Sequence, residues 1–207
     1  MPADTITRSV IEKVNEAGPG TVFFPADLLE FGAPDAIHQT FSRLARNKTL
    51  LRLAKGIYVK PKMDPELGPL RPSLEDVAQQ IADRDKVVIR PTGAAALNKL
   101  GLSTQVPTKV VYLTNGNPKR IRVGRSTIVF KKTTHKQLAV QPEIVFLAMQ
   151  ALIALEDQAD TPDNIRQLTE VLSMEKPAEI RQGARSAPQR IARILYQIAN
   201  HIEKSLI

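Results

Sequence analysis

Apolar residues recur at helical spacing at the start of the chain: Ile6, Val10, Ile11 and Val14 share one face, Asp4 offers a cap, and Gly18-Pro19-Gly20 ends the element after about three turns. Val22-Phe23-Phe24 is short, apolar and β-prone, and Pro25 with Asp27 can open a brief helix that runs to Gly32. Pro34 then occupies the first position of a further helix. In it Ile37, Phe41 and Leu44 bury one face and leave His38, Gln39, Ser42, Arg43 and Arg46 on the other. Behind Asn47 and Lys48 the period changes from helical to two. Leu51 and Leu53 alternate with Arg52, Ile57 and Val59 alternate with Tyr58 and Lys60, and Ala54-Lys55-Gly56 supplies a tight turn between them. Helix, short strand, helix, helix and hairpin within about 60 residues is the order of a winged helix-turn-helix.

Pro61, Pro65, Pro69 and Pro72, with Gly68 among them, predict a stiff linker in which neither helix nor strand continues, and a domain boundary near residue 65. Beyond it Ser73 caps a helix through Asp83, with Val77 and Ile81 on its inner face. A strand over Lys86–Arg90, an alanine-rich helix from Thr92 to Leu100 and a strand over Lys109–Leu113 follow. Two more strands, near Lys119–Val123 and Ser126–Lys131, flank a turn at Gly124-Arg125. Three helices starting near Gln141, Thr161 and Ala187 end the chain, with apolar sets such as Ile144, Leu147, Leu152, Leu155 and Ile191, Ile194, Leu195, Ile198. The expected fold is α+β: a winged helix-turn-helix over residues 1–62, a linker over 63–72, and a second domain over 73–207, mixed α/β to residue 136 and helical from 137.

Charge changes this picture more than composition does. With 207 residues, 43% of them hydrophobic, the chain can support two small cores. It has no cysteine, which removes disulfides, thiolate metal sites and cysteine nucleophiles. The first ten residues lack a secretory pattern and no apolar run nears the roughly 20 residues of a membrane span, so a soluble cytoplasmic protein is expected. The net charge of +8 is unevenly spread. Phe41–Lys62 carries seven Lys or Arg and no acid, and Lys86–Lys136 carries eleven and again no acid, whereas from Gln137 onward seven basic residues meet nine acidic ones. Ordinary solvated surface mixes the signs, so the two basic stretches point to a polyanionic partner.

A helix-turn-helix reads sequence by laying its second helix in the major groove while neighbouring cations hold phosphates. On that scheme Gln39 can form paired hydrogen bonds to adenine and Arg43 to guanine, with His38, Thr40 or Ser42 adding contacts. Arg46, Lys48, Arg52 and Lys55 suit phosphates or, at the hairpin tip, the adjoining minor groove. A second basic surface is expected from Lys119, Arg120, Arg122, Arg125, Lys131 and Lys132, joined by Lys136, because alternation along strands brings several to one face. The alternative open at this point is a winged helix that binds protein.

The run Arg90-Pro91-Thr92-Gly93-Ala94-Ala95-Ala96, continuing through Asn98-Lys99-Leu100-Gly101-Leu102 to Val106-Pro107 and on to Lys109-Val110-Val111-Tyr112-Leu113-Thr114-Asn115-Gly116, resembles the central signature of AbiEi-type antitoxins, in particular their shorter branch. Val22-Phe23-Phe24-Pro25-Ala26-Asp27, Leu53-Ala54-Lys55-Gly56-Ile57-Tyr58 and Pro65-Glu66-Leu67-Gly68-Pro69-Leu70 are similar to that branch as well. The resemblance runs from about residue 5 to about residue 136 and is weak beyond. It implies a winged helix that represses its own promoter, so the partner is double-stranded DNA. It also implies a second domain that counteracts a nucleotidyltransferase-like toxin encoded alongside. Read from the residues, Thr92-Gly93 begins a helix whose alanines allow close packing and which Gly101 caps.

Catalysis is not expected. The histidines at 38, 135 and 201 are scattered, no phosphate-binding glycine loop or Glu-x-Lys pattern occurs, and acid-free stretches are poor ground for Mg²⁺. No metal or cofactor is therefore expected. Two readings remain: an autorepressor that doubles as an antitoxin, and an RNA- or protein-binding module that uses its basic surfaces without reading base sequence. RNA readers stack bases on exposed aromatics, and this chain is 4% aromatic. One winged helix covers few base pairs, so specificity calls for two copies, a dimer on repeated half-sites.

Overall fold

The computed structural model describes residues 3–205; the side chain of Asp4, and with it the expected cap, lies outside the described set. Helix α1 (Ala3–Glu16) buries Ile6, Val10 and Val14. Strand β1 (Val22–Phe23) follows, then a 3-10 turn at Pro25–Phe31 and helix α2 (Pro34–Arg46), which starts at its proline as expected. Ile37, Phe41 and Leu44 form the buried face of α2. Phe41 anchors the core, its ring centroid 6.3 Å from Phe23 and 5.0 Å from Tyr58.

Strands β2 (Leu51–Ala54) and β3 (Ile57–Val59) form the expected hairpin, with Gly56 in the left-handed region at φ +70°. The sheet order is β1-β3-β2, all antiparallel, so β3 is the central strand. This corrects one detail of the alternation: Tyr58 is buried against Phe41 and does not face solvent. A central strand covered on both faces has no outward-facing positions.

The proline-rich stretch is not a featureless linker. It forms a two-stranded ribbon, β4 (Lys62–Asp64) with β5 (Gly68–Leu70), in which Met63 lies opposite Pro69. Each strand of an isolated ribbon has a solvent side where a missing N–H costs nothing, so Pro69 fits. The Asp64 carboxylate closes the turn by accepting the N–H groups of Glu66 and Leu67, both at 2.9 Å.

Helix α3 (Leu74–Asp85) is capped by Ser73, whose Oγ accepts the Asp76 N–H at 3.0 Å and donates to the Asp76 carboxylate at 2.7 Å. The boundary expected near residue 65 moves accordingly, because the first compact unit runs to Arg84 and also takes in Ile121–Ser126. Two side chains of α3 hold it there. The Gln80 amide accepts the Val22 N–H at 2.7 Å and donates to the Gly20 carbonyl at 2.9 Å, filling hydrogen-bonding positions on the edge strand β1 as another strand would. Arg84 donates to both Asp27 oxygens and lies 4.3 Å from the Phe24 ring centroid.

The second unit holds Asp85–Arg120 and the chain from Thr127 onward. Strand β6 (Ile89–Thr92) starts three residues later than expected, since Lys86 adopts φ +55° after α3. Helix α4 (Ala94–Lys99) ends in a Schellman cap. Gly101 at φ +71° donates to the Asn98 carbonyl, and Leu102 donates to the Leu97 carbonyl. Strands β7 (Lys109–Thr114), β8 (Lys119–Val123), of which Ile121–Val123 count with the first unit, and β9 (Ser126–Lys132) complete a mixed sheet of order β6-β7-β9-β8, with β6–β7 antiparallel and β7–β9 parallel.

The helical segment is richer than the three helices expected. It contains α5 (His135–Leu138), α6 (Glu143–Leu155), α7 (Pro162–Leu172), α8 (Pro177–Ala184) and α9 (Gln189–Ser205). Residues Val145–Leu152 of α6 are buried on every side, enclosed by apolar faces of α4, α7, α8 and α9. The chain is therefore an α+β protein with several small sheets. Among the described residues no helix is long and apolar enough to cross a membrane.

Candidate nucleic-acid interface

The outward face of α2 presents His38, Gln39, Ser42, Arg43 and Arg46, all exposed. Together with Thr7 of α1 and Asp35 they line an open concavity of about 570 Å³. The spacing that buries Ile37, Phe41 and Leu44 turns these intervening side chains outward. Of the expected base-reading residues His38, Gln39, Ser42 and Arg43 are thus brought to one surface, whereas Thr40 is buried, its hydroxyl donating to the Ala36 carbonyl one turn back, and presents nothing to a base.

Their freedom differs. No hydrogen bond to another described residue engages the side chain of His38 or Gln39, whereas the Ser42 hydroxyl donates to the His38 carbonyl at 2.8 Å. Arg43 is tethered across to α1, its Nη2 donating to Thr7 Oγ1 at 2.8 Å and lying 3.4 Å from Thr40 Oγ1. The expected phosphate contacts are all exposed: Arg46 at the end of α2, Lys48 in the following turn at φ +61°, Arg52 on β2, and Lys55 at the hairpin tip. Among the described residues no acid pairs with any of these four. Asp35 follows from the same helical spacing, three and four residues before His38 and Gln39, but the sequence pattern gives no sign of Thr7 at this place. Thr7 lies 36 residues from Arg43, so no local pattern could bring it to α2.

One cation of the same acid-free stretch faces inward. Lys60 Nζ donates to the carbonyls of Val14, Asn15 and Ala17 at 3.1, 3.0 and 2.8 Å, closing the carboxy-terminal end of α1. A cation there satisfies orphan carbonyls and meets the negative end of the helix dipole.

The residues of the second expected basic surface are divided between the two units. Arg122 and Arg125 belong to the first unit, while Lys119, Arg120, Lys131, Lys132 and Lys136 belong to the second. Lys119 is moreover engaged, half-buried and paired with Asp85, with Nζ 5.0 Å from the Phe130 ring centroid. Lys136 reaches the Arg185 carbonyl at 3.4 Å. Arg120, Arg122, Arg125, Lys131 and Lys132 are exposed.

In the second unit Arg90, Thr92 and Asn98 of the Arg90–Gly101 run are bonded within the unit. Arg90 is buried, donates to the Leu138 and Val140 carbonyls at 3.0 and 2.5 Å, and stacks 3.7 Å from the Phe146 ring centroid. Burial pushes its pKa down from the ordinary arginine value, and the charge of Glu143 acts in the opposite sense. Thr92 donates to the buried Gln150 amide at 2.6 Å, and the Asn98 amide donates to the carbonyls of Ser103 and Gln105. These groups are satisfied within the unit, as structural residues are.

Together the geometry defines a two-unit α+β protein whose first unit carries a solvated, cation-rich helix and hairpin. The chain belongs to a family of unknown function (DUF6088), which it matches over residues 9–180. No curated protein matches the chain.

Proposed function

We propose that the first unit is a winged helix-turn-helix with which this protein reads its own promoter and represses transcription, and that the second unit counteracts a nucleotidyltransferase-like toxin. The observation that carries the DNA reading is the outward face of α2. It gathers Gln39, Arg43, His38 and Ser42 in one open concavity, directly before a hairpin whose cations Arg52 and Lys55 have no acidic partner among the described residues. Amide and guanidinium groups on a solvated helix match the edges of adenine and guanine, and flanking cations match phosphates. The antitoxin half rests on the resemblance of the Arg90–Gly116 run to AbiEi-type antitoxins, and the place of action would be the cytoplasm. Two copies on repeated half-sites would supply the specificity that one small module lacks.

The test compares binding of the full chain to the duplex upstream of its own gene with binding to a shuffled duplex of equal length, across a salt series. Sequence readers prefer the native duplex by roughly a thousandfold or more. Equal binding that fades together as salt rises would mean phosphate contact alone, and would remove the autorepressor reading.

A further inference from the structure

Resting on the DNA reading above, we infer that Thr7 of α1 is a positioning residue for specificity. It holds the Arg43 guanidinium in place to meet a guanine edge. Three hydroxyl and guanidinium contacts form a chain with a defined direction. Thr40 Oγ1, almost fully buried, donates to the Ala36 carbonyl at 2.9 Å, so its single proton is committed. Thr7 Oγ1 lies 3.3 Å from Thr40 Oγ1 and must therefore be the donor of that pair. The Thr7 oxygen, with its lone pairs free, then accepts from Arg43 Nη2 at 2.8 Å. The order Arg43 to Thr7 to Thr40 to Ala36 runs from the exposed concavity into the buried side of α2.

This arrangement fits recognition better than stability. A solvated arginine loses much rotamer freedom when it binds, and a side chain already held by one nitrogen loses less. Nη2 carries a second hydrogen, and Nε and Nη1 of Arg43 keep no partner among the described residues, so one edge of the guanidinium, Nη2 with Nε or with Nη1, still offers two donors to the acceptors N7 and O6 that guanine presents in the major groove. Removing the Thr7 hydroxyl leaves Thr40 bonded to Ala36, so no buried polar group is orphaned.

The test uses the full chain and its own upstream duplex, with each guanine replaced in turn by 7-deazaguanine, which lacks the N7 acceptor. In the unaltered protein one guanine per half-site is expected to be sensitive, its replacement weakening binding roughly tenfold or more. Arg43→Ala abolishes that sensitivity. Thr7→Val reduces it below about threefold while leaving the melting temperature, the shuffled-duplex affinity and the salt slope unchanged, and Thr7→Ser restores it. In the Arg43→Ala background Thr7→Val has no further effect, because Thr7 acts only through Arg43. Full guanine sensitivity in Thr7→Val, or a native duplex preferred with no sensitive guanine, overturns the inference and leaves the DNA reading standing. Equal binding of native and shuffled duplexes removes both.

Discussion

The two units use polar residues in opposite directions. On α2 His38, Gln39, Ser42, Arg43 and Arg46 face solvent, and Arg46, Lys48, Arg52 and Lys55 lack acidic partners among the described residues. In the Arg90–Gly101 run of the second unit, Arg90, Thr92 and Asn98 are bonded to groups of the same unit. A polar side chain that satisfies its neighbours stabilises a fold, and one that satisfies nothing nearby is available to a partner. The contrast agrees with the recognition role proposed for the first unit's surface, and gives Arg90, Thr92 and Asn98 of the second a structural place. A distinctive motif need not be a binding site.

The largest expected effect lies on the inward side. Arg90→Ala removes the donors of two buried carbonyls together with the stacking on Phe146, and should destabilise the protein by about 3 kcal/mol or more. A urea midpoint close to that of the unaltered chain would undo the division between the units, since Arg90 would then not be structural.

Lys60 draws the division more finely, because it shares a stretch with the proposed DNA cations and yet closes α1. Lys60→Met should cost about 1–2 kcal/mol in stability, from charged hydrogen bonds and helix-end electrostatics. The slope of DNA affinity against salt should not move. A lower slope with unchanged stability would place Lys60 among the phosphate-binding cations.

Lys60 also shows what could be read in the sequence. The helical period of Ile37, Phe41 and Leu44, the glycine turn of the β2–β3 hairpin and the Gly101 cap are local, and they were legible. The inward turn of Lys60, the tie of Thr7 to Arg43 and the docking of α3 through Gln80 and Arg84 join residues 36 to 60 positions apart, and no periodicity records them. The ribbon β4–β5 was hidden because its prolines read as breakers, although a two-stranded ribbon tolerates them. Helix α8, eight residues long, is too short for its period to stand out.

On the outward side a smaller effect is expected, confined to binding. Arg52→Gln with Lys55→Gln should leave stability within about 0.5 kcal/mol, as surface substitutions do. On the proposed reading it lowers the slope of log affinity against log salt by about 1 for each phosphate that is no longer neutralised. Weakening should be similar for native and shuffled duplexes. Reduced stability with an unchanged slope would show that these two cations belong with Lys60.

Asp64 is the finest division between the two uses, because it is half-buried at the surface and bonded to its own turn. The N–H groups of Leu67 and Glu66 hold its carboxyl below the ordinary aspartate range. A carboxyl with a lowered folded-state pKa contributes stability that is fully present above its unfolded value and lost as pH falls through the folded one. The β4–β5 turn should therefore keep its geometry at neutral pH and loosen only on acidification below the usual aspartate range. Carbon-detected titration of Asp64 checks the lowered midpoint. In Asp64→Ala, amide exchange at Glu66 and Leu67 should quicken at neutral pH while DNA affinity stays the same. An ordinary midpoint with unchanged exchange would make Asp64 a solvated surface group and leave the turn to its backbone alone.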